Sequence, residues 1–124
     1  MRLNNELYII ERAQRGSSAA VYTIRLCPDS LIYKAHFPAQ PITPGVCIVQ
    51  IATEIASDYL GCTLVLGSIR NAKFLAVLSP DSTDEADVDL SSVAVEGQNV
   101  SFKCILRNAT TIFAKMTLLC KKSQ

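Results

Sequence analysis

ELYIIERAQ (6–14), AAVYTIRLC (19–27), DVDLSSVAVEG (87–97), VSFKCILRN (100–108) and TIFAKMTLLCK (111–121) are β-branched or alternate between apolar and polar residues, each bounded by Gly, Ser, Asn or Pro. That period, with its β-branched residues, predicts strands. LVLGSIRNAKFLAVL (64–78) reads as a sixth strand, long and bent near Gly67 or Asn71. EGQN (96–99) has the residues of a hairpin turn, and the last four strands are expected to form a meander. One segment breaks the two-residue period. Thr43 as N-cap, Pro44 at the first helical position and Gly61 beyond the last turn predict a helix over 44–60. Between those caps Val46, Cys47, Ile48, Val49, Ile51, Ala52, Ile55, Ala56, Tyr59 and Leu60 leave little polar surface, so protein must cover most of its circumference. The polar exceptions, Gln50, Thr53, Glu54 and Ser57, are spaced three or four apart and share one stripe. The pattern predicts an α+β architecture, an antiparallel sheet of five to six strands wrapped around one central helix.

Composition narrows the classes of function. A chain of 124 residues with 49% apolar and 19% charged residues suits one domain, 1–124, with a sizeable core. Twelve basic and eleven acidic residues give a net charge of +1 without a basic stripe, which speaks against nucleic acid as partner. No apolar run approaches the roughly 20 residues of a membrane span, and MRLNNELYIIERAQ lacks the apolar stretch of a signal peptide, so a cytoplasmic protein is expected. Cys27, Cys47, Cys62, Cys104 and Cys120 are odd in number and set among apolar neighbours, which suits reduced core residues. DSTDEADVD (81–89) reads as a solvated loop leading into a strand.

The chemistry gathers in AHFPAQPITPGVCIVQ (35–50), which holds the single histidine and three of the five prolines. Pro38, Pro41 and Pro44 each fix a φ angle, so His36 is held at a defined distance from the helix start. There the amides of Gly45 and Val46 lack intrahelical partners and lie at the positive end of the helix dipole, suited to a carbonyl oxygen gaining negative charge. A histidine near its reference pKa of roughly 6.5 suits proton abstraction beside that carbonyl. The plainer alternative is a loop histidine satisfied by a backbone carbonyl. No His-rich metal cluster, phosphate loop or dinucleotide fingerprint is present, so neither a metal nor an organic cofactor is expected, and a Cys–His nucleophile requires Cys47 or another thiol beside His36.

His36-Phe37-Pro38, then Pro41, then Pro44-Gly45-Val46, resembles the signature of the bacterial β-hydroxyacyl-acyl-carrier-protein dehydratases of the hotdog fold, and IRNAKFLAVLSP (69–80) resembles the strand that follows in that family. The resemblance covers roughly residues 20–120. It implies a paired hotdog, homodimer or heterodimer with another hotdog subunit, and a tunnel for an acyl chain on the phosphopantetheine arm of acyl carrier protein. The implied reaction is dehydration of a 3-hydroxyacyl thioester. It also implies His36 as catalytic base, the Gly45 amide polarising the thioester carbonyl, and Phe37, Pro44 and Val46 in the substrate-binding set. The family carries a glutamate or aspartate fourteen positions after the histidine, where this chain has Gln50. An amide can hydrogen-bond a hydroxyl but cannot protonate it. Glu54 lies one turn on, about 6 Å along the helix, so the family's glutamate-to-glutamine pair is reversed. Three readings follow: Glu54 as a displaced acid, His36 performing both proton transfers while Gln50 orients substrate, or a silent subunit paired with an active one. A hotdog acyl thioesterase is a further alternative, resting on Glu54 as the only carboxylate at hand. Arg70, Lys73, Lys103 and Arg107 are candidates for attracting the acidic carrier protein.

Overall fold

The computed structural model describes residues 2–35 and 39–123. Its elements are β1 (Tyr8–Arg15), β2 (Ala20–Leu26), α1 (Leu31–Ala35), α2 (Gly45–Leu60), β3 (Leu64–Phe74), β4 (Glu85–Glu96), β5 (Asn99–Arg107) and β6 (Ile112–Lys122). All six strands form one antiparallel sheet in the order β1-β2-β4-β5-β6-β3. Register explains the core. Tyr22 of β2 stands opposite Val88 of β4, Val88 opposite Leu106 of β5, and Leu106 opposite Ala114 of β6. All four are buried, as are Ala20, Leu90, Cys104 and Met116 one pleat away. A one-residue slip would turn these rows to solvent, so the two-residue period specifies the pairing.

Helix α2 lies against the concave face, packing on β3, β4 and β6, with Cys47, Ile48, Val49, Ile51, Ala52, Thr53, Ile55 and Ala56 buried. Gly61 closes it in the left-handed conformation (φ 70°), its N–H donating to the Ser57 carbonyl at 2.9 Å. Its start differs from expectation. Pro44, not Thr43, occupies the N-cap, and no side chain caps it. The Thr43 hydroxyl instead shares a 2.7 Å hydrogen bond with the buried Tyr33 hydroxyl of α1, a short helix that the sequence pattern did not mark.

The predicted meander holds for β4, β5 and β6, with Gly97 (φ 62°) in the turn, but β3 pairs with β6 and not with β4. Strand β3 stops at Phe74, and residues 75–84 carry the chain to the middle of the sheet, where β4 starts against β2. Leu78 and Pro80, expected at the end of or just beyond a strand, are buried under that crossover. The expected bend in β3 is two register shifts, at Gly67 and Arg70. A Cβ at Gly67 would stand 3.1 Å from the Leu119 carbonyl oxygen of β6, so close approach of backbones explains the glycine. Acidic residues 84–89 pass from loop to strand: Glu85, Asp87 and Asp89 lie in β4, where Arg25 and Arg107 pair with them.

Candidate active site

The candidate residues of α2 fall at two places, the helix start and the polar stripe that lines a cavity from Gln50 onward. Pro44, Gly45 and Val46 form the first turn, whose leading N–H groups have no carbonyl one turn behind them. Val46 is 67% exposed, so this end of the apolar helix is uncovered in the single chain. The Cβ position of Gly45 is filled by a neighbour: a methyl there would stand 3.1 Å from Cζ of Phe74. The Phe74 ring thus lies on the helix start, a contact the sequence pattern did not suggest. Either side of the histidine the chain is pinned, by the Tyr33–Thr43 hydrogen bond and by the Thr43 N–H donating to the Leu78 carbonyl at 2.9 Å. Burial pushes the Tyr33 hydroxyl up to about 12, so it stays protonated. His36 and Phe37, with Pro38, lie outside the described residues.

A cavity of about 610 Å³ opens along α2 from Gln50 through Thr53, Glu54 and Ser57, walled by Leu64, Val65 and Leu66 of β3 and by Arg2 and Asn4. Most of the stripe is internally satisfied. The Thr53 hydroxyl donates to the Val49 carbonyl (3.0 Å), and the Ser57 hydroxyl donates to the Thr53 carbonyl (2.9 Å) while accepting from Leu64 N–H (3.0 Å). Glu54 is the most heavily engaged. Its Oε2 accepts from Leu3 N–H at 2.7 Å and from Gln50 Nε2 at 2.8 Å. Its Oε1 accepts from Asn4 N–H at 2.8 Å and from the Tyr8 hydroxyl at 2.9 Å. Burial first, and then the Glu54 charge, raise the Tyr8 hydroxyl far above its usual range, so it remains a donor. The carboxylate read as a displaced acid is thus turned toward β1 and the N-terminal segment. Sequence offered no cue to Tyr8, Leu3 and Asn4 as its partners, since those contacts span 46 to 51 residues.

The remaining candidates separate. Arg107 is paired with Asp87 and Asp89, whereas Arg70, Lys73 and Lys103 are exposed. Burial raises the Cys47 thiol and pushes Cys104 up to about 12, which disfavours either thiolate as nucleophile. Among the described residues, no three His, Cys, Asp or Glu side chains stand together as metal ligands, and no helix is long and apolar enough to cross a membrane.

A family model described as ApeI-like, ApeI dehydratase, matches residues 12–117. The 3-hydroxyacyl-acyl-carrier-protein dehydratase FabZ of Pediococcus pentosaceus is 31% identical over 88 residues, 65% of this chain and 58% of its own length. The FabZ of Clostridium acetobutylicum is 24% identical over 91 residues, 68% of this chain and 64% of its own. The chain therefore spans under two thirds of the length of these curated relatives. Among solved structures, the dehydratase heterocomplex ApeI:P from Xenorhabdus doucetiae superposes with a TM-score of 0.72 at 19% identity, covering 91% of this chain and 96% of that one. A hypothetical thioesterase with coenzyme A from Streptococcus pneumoniae follows at 0.65 and 15%, covering 94% and 85%. At those identities the structures establish the fold, a six-stranded hotdog sheet around one helix.

Proposed function

The chain belongs to the ApeI-like dehydratase family, and we propose from that premise that it dehydrates a 3-hydroxyacyl thioester carried on acyl carrier protein, in fatty-acid or polyketide-type synthesis in the cytoplasm. The observation that carries this reading is the family match over residues 12–117, which spans the helix start, Gln50 and the α2 and β3 residues that wall the cavity.

His36, as base, takes the α-proton. The Gly45 amide, at the positive end of α2, holds the thioester oxygen as it gains charge. The Cα electrons form the double bond, the Cβ–O bond breaks, and the proton held on the imidazole passes to the departing oxygen to give water. Gln50 holds the β-hydroxyl in place and donates no proton to it. Phe37, Pro44 and Val46 line the approach of the thioester.

A second hotdog subunit completes the site. Val65, Leu66, Ile69 and Phe74 are exposed on the β3 edge. Two such edges pairing antiparallel about Ile69 bring Leu64 of one subunit beside Phe74 of the other, so the helix start of one covers the cavity of its neighbour. The similarity to FabZ dehydratases supports the carrier-protein substrate, and the similarity to the ApeI:P heterocomplex supports pairing with a different hotdog subunit. Exposed Arg70, Lys73 and Lys103 supply positive charge for the acidic carrier. Gln50 in the place of a carboxylate favours one other reading, a silent subunit that supports an active partner.

The test is an assay of enoyl thioester formation from a 3-hydroxyacyl carrier-protein conjugate, with the chain alone and with a co-purifying hotdog subunit. Turnover that falls by about 10²-fold or more in His36→Ala is expected. No turnover in either assembly, or full turnover in the variant, overturns the reading.

A further inference from the structure

The cavity along α2 is lined by polar residue types, yet between Thr53 and Ser57 their polar atoms are already spent on the protein. The Thr53 hydroxyl goes to the Val49 carbonyl, the Ser57 hydroxyl donates to the Thr53 carbonyl and accepts from Leu64 N–H, and Glu54 takes four donors. A carboxylate has about four lone-pair positions, so Glu54 keeps little capacity for a ligand. Leu64, Val65 and Leu66 form the facing wall. Because Leu64 N–H meets Ser57, β3 starts beside that residue and runs back toward the helix start, where Phe74 lies on Gly45. The section from Gln50 to Ser57 is thus an apolar sleeve about 10 Å long, at roughly 1.5 Å per helical residue. Beyond Ser57 the chemistry changes. Asp58 lines the same cavity with its side chain 42% exposed, and Arg15 and the Tyr22 hydroxyl hold its Oδ2 at 2.8 and 2.6 Å. Held by two donors, the carboxylate has little freedom to swing aside. An alkyl chain laid against it would strip water from a charge without replacing the lost hydrogen bonds.

We propose that Asp58 is a specificity-determining residue: it ends the apolar section of the cavity and so limits the length of acyl chain that the site accepts. This rests on the dehydratase reading and deepens it. On that reading the thioester sits at the helix start and the β-carbon beside Gln50, so the rest of the chain runs along α2 toward Ser57. An extended alkyl chain with C–C bonds of about 1.5 Å advances roughly 1.3 Å per carbon, so about eight carbons beyond the β-carbon, or about eleven in all, fill the sleeve. Longer chains bring their ends to the Asp58 carboxylate. Past it the wall continues through Gly61, Cys62 and Thr63, and a Cβ at Gly61 would meet nothing within 4 Å. Replacing the charge with an apolar group therefore opens about one further helical turn, room for about four more carbons.

The test measures binding of stable 3-hydroxyacyl-pantetheine amides, from about six to about sixteen carbons, to the folded protein in whichever assembly it purifies. Wild-type affinity is expected to rise about two- to fourfold with each added carbon as methylenes enter the sleeve, and to gain nothing beyond about eleven. In Asp58→Leu the rise should continue for about four carbons more. If that variant fails to fold by circular dichroism, Asp58→Asn, which keeps the shape and removes the charge, replaces it and should extend the rise by about two carbons. Tyr22→Phe, which leaves the carboxylate in place, should keep the break where it is in wild type. A break that stays put in the Asp58 variants overturns the stop and leaves the dehydratase reading standing. A break that moves as far in Tyr22→Phe reports general loosening of the cavity and overturns the stop as well. Wild-type affinity that does not depend on chain length removes the sleeve and the proposal with it, while turnover of the carrier conjugate still decides the dehydratase reading. Wild type that binds no probe of any length overturns both together.

Discussion

The two edges of the sheet are built from opposite chemistry. On β1, Glu11, Arg12 and Arg15 are exposed; Arg25 from β2 pairs with Glu11 and with Glu85 of β4, and Arg12 adds a longer contact to Glu85. The β1–β2 register shifts at Glu11, which adds a bulge to that charge. Behind it, Arg15 and the Tyr22 hydroxyl meet Asp58 at 2.8 and 2.6 Å, and Tyr8 meets Glu54. Charge and a bulge are the usual protection of a free strand edge. Strand β3 has bulges too, but it presents Val65, Leu66, Ile69 and Phe74 to solvent, beside an uncovered helix start at Val46. An apolar edge of that kind is an aggregation hazard unless something covers it. One flank is finished by the chain's own ion pairs, and we assign the other to a second hotdog subunit.

The largest effect should come from reversing the chemistry of the open flank. Ile69 is 47% exposed, at the midpoint of the proposed pairing. Ile69→Asp would bring two carboxylates together there, and like charges facing each other in an interface cost several kcal/mol, so association should weaken by about 100-fold or more. Arg12→Asp on β1 should leave association unchanged. Sedimentation velocity over a concentration series reads both. Unaltered assembly in Ile69→Asp would move the interface elsewhere, and dissociation in Arg12→Asp would mean that β1 is not a finished edge.

The same contrast explains what the sequence disclosed. Strands β4, β5 and β6 largely alternate because one face of each is buried in the core, and α2 reads as enclosed because its residues 47–49, 51, 52, 55 and 56 are buried. Periodicity records burial, so those elements were legible. It does not record which strands become neighbours, and residues 75–84 leave β3 at the far edge beside β6, whereas chain order suggested a meander of the last four strands. The site divides in the same manner. The segment from His36 to Val46 and the polar stripe of Gln50, Thr53, Glu54 and Ser57 could be picked out by motif and spacing, although His36 lies outside the described residues. The engagement of Glu54 was not visible, because its partners Leu3, Asn4 and Tyr8 lie 46 to 51 residues away in the chain and meet it only in the fold.

A smaller effect is expected on the closed flank. Burial and the bond to Asp58 push the Tyr22 hydroxyl up to about 12. The unfolded chain releases that proton near pH 10, the folded chain about two units later, so this contribution is intact below pH 10 and lost as the pH rises to about 12. Tyr22→Phe should cost about 1–2 kcal/mol near neutral pH through the lost bond to a charged acceptor. Its stability should also fall less steeply between pH 10 and 12 than that of wild type. Denaturant midpoints at pH 7, 10 and 11.5 measure both effects, and parallel profiles for the two proteins would show that Asp58 does not need this hydroxyl.

The smallest effect should follow from removing the ion pairs that distinguish β1. Arg25 reaches Glu11 and Glu85 from the solvent face of β2, with all three side chains partly exposed. Water and salt screen such pairs, and ordering long side chains offsets much of their attraction. Arg25→Gln should therefore shift the melting temperature by only about 2 °C or less, with the difference shrinking further in high salt. The role of this cluster on the present reading is to exclude partners, since an edge lined with charge is costly to desolvate in the wrong pairing. That role predicts a second outcome. Neutralising the edge in the triple variant Glu11→Gln, Arg12→Gln, Arg25→Gln should leave the folded chain nearly as stable but raise its tendency to form larger species at high concentration, read by light scattering. A triple variant that melts far below wild type would make the cluster a source of stability, and the distinction between the two edges would then lie in strength and not in selectivity.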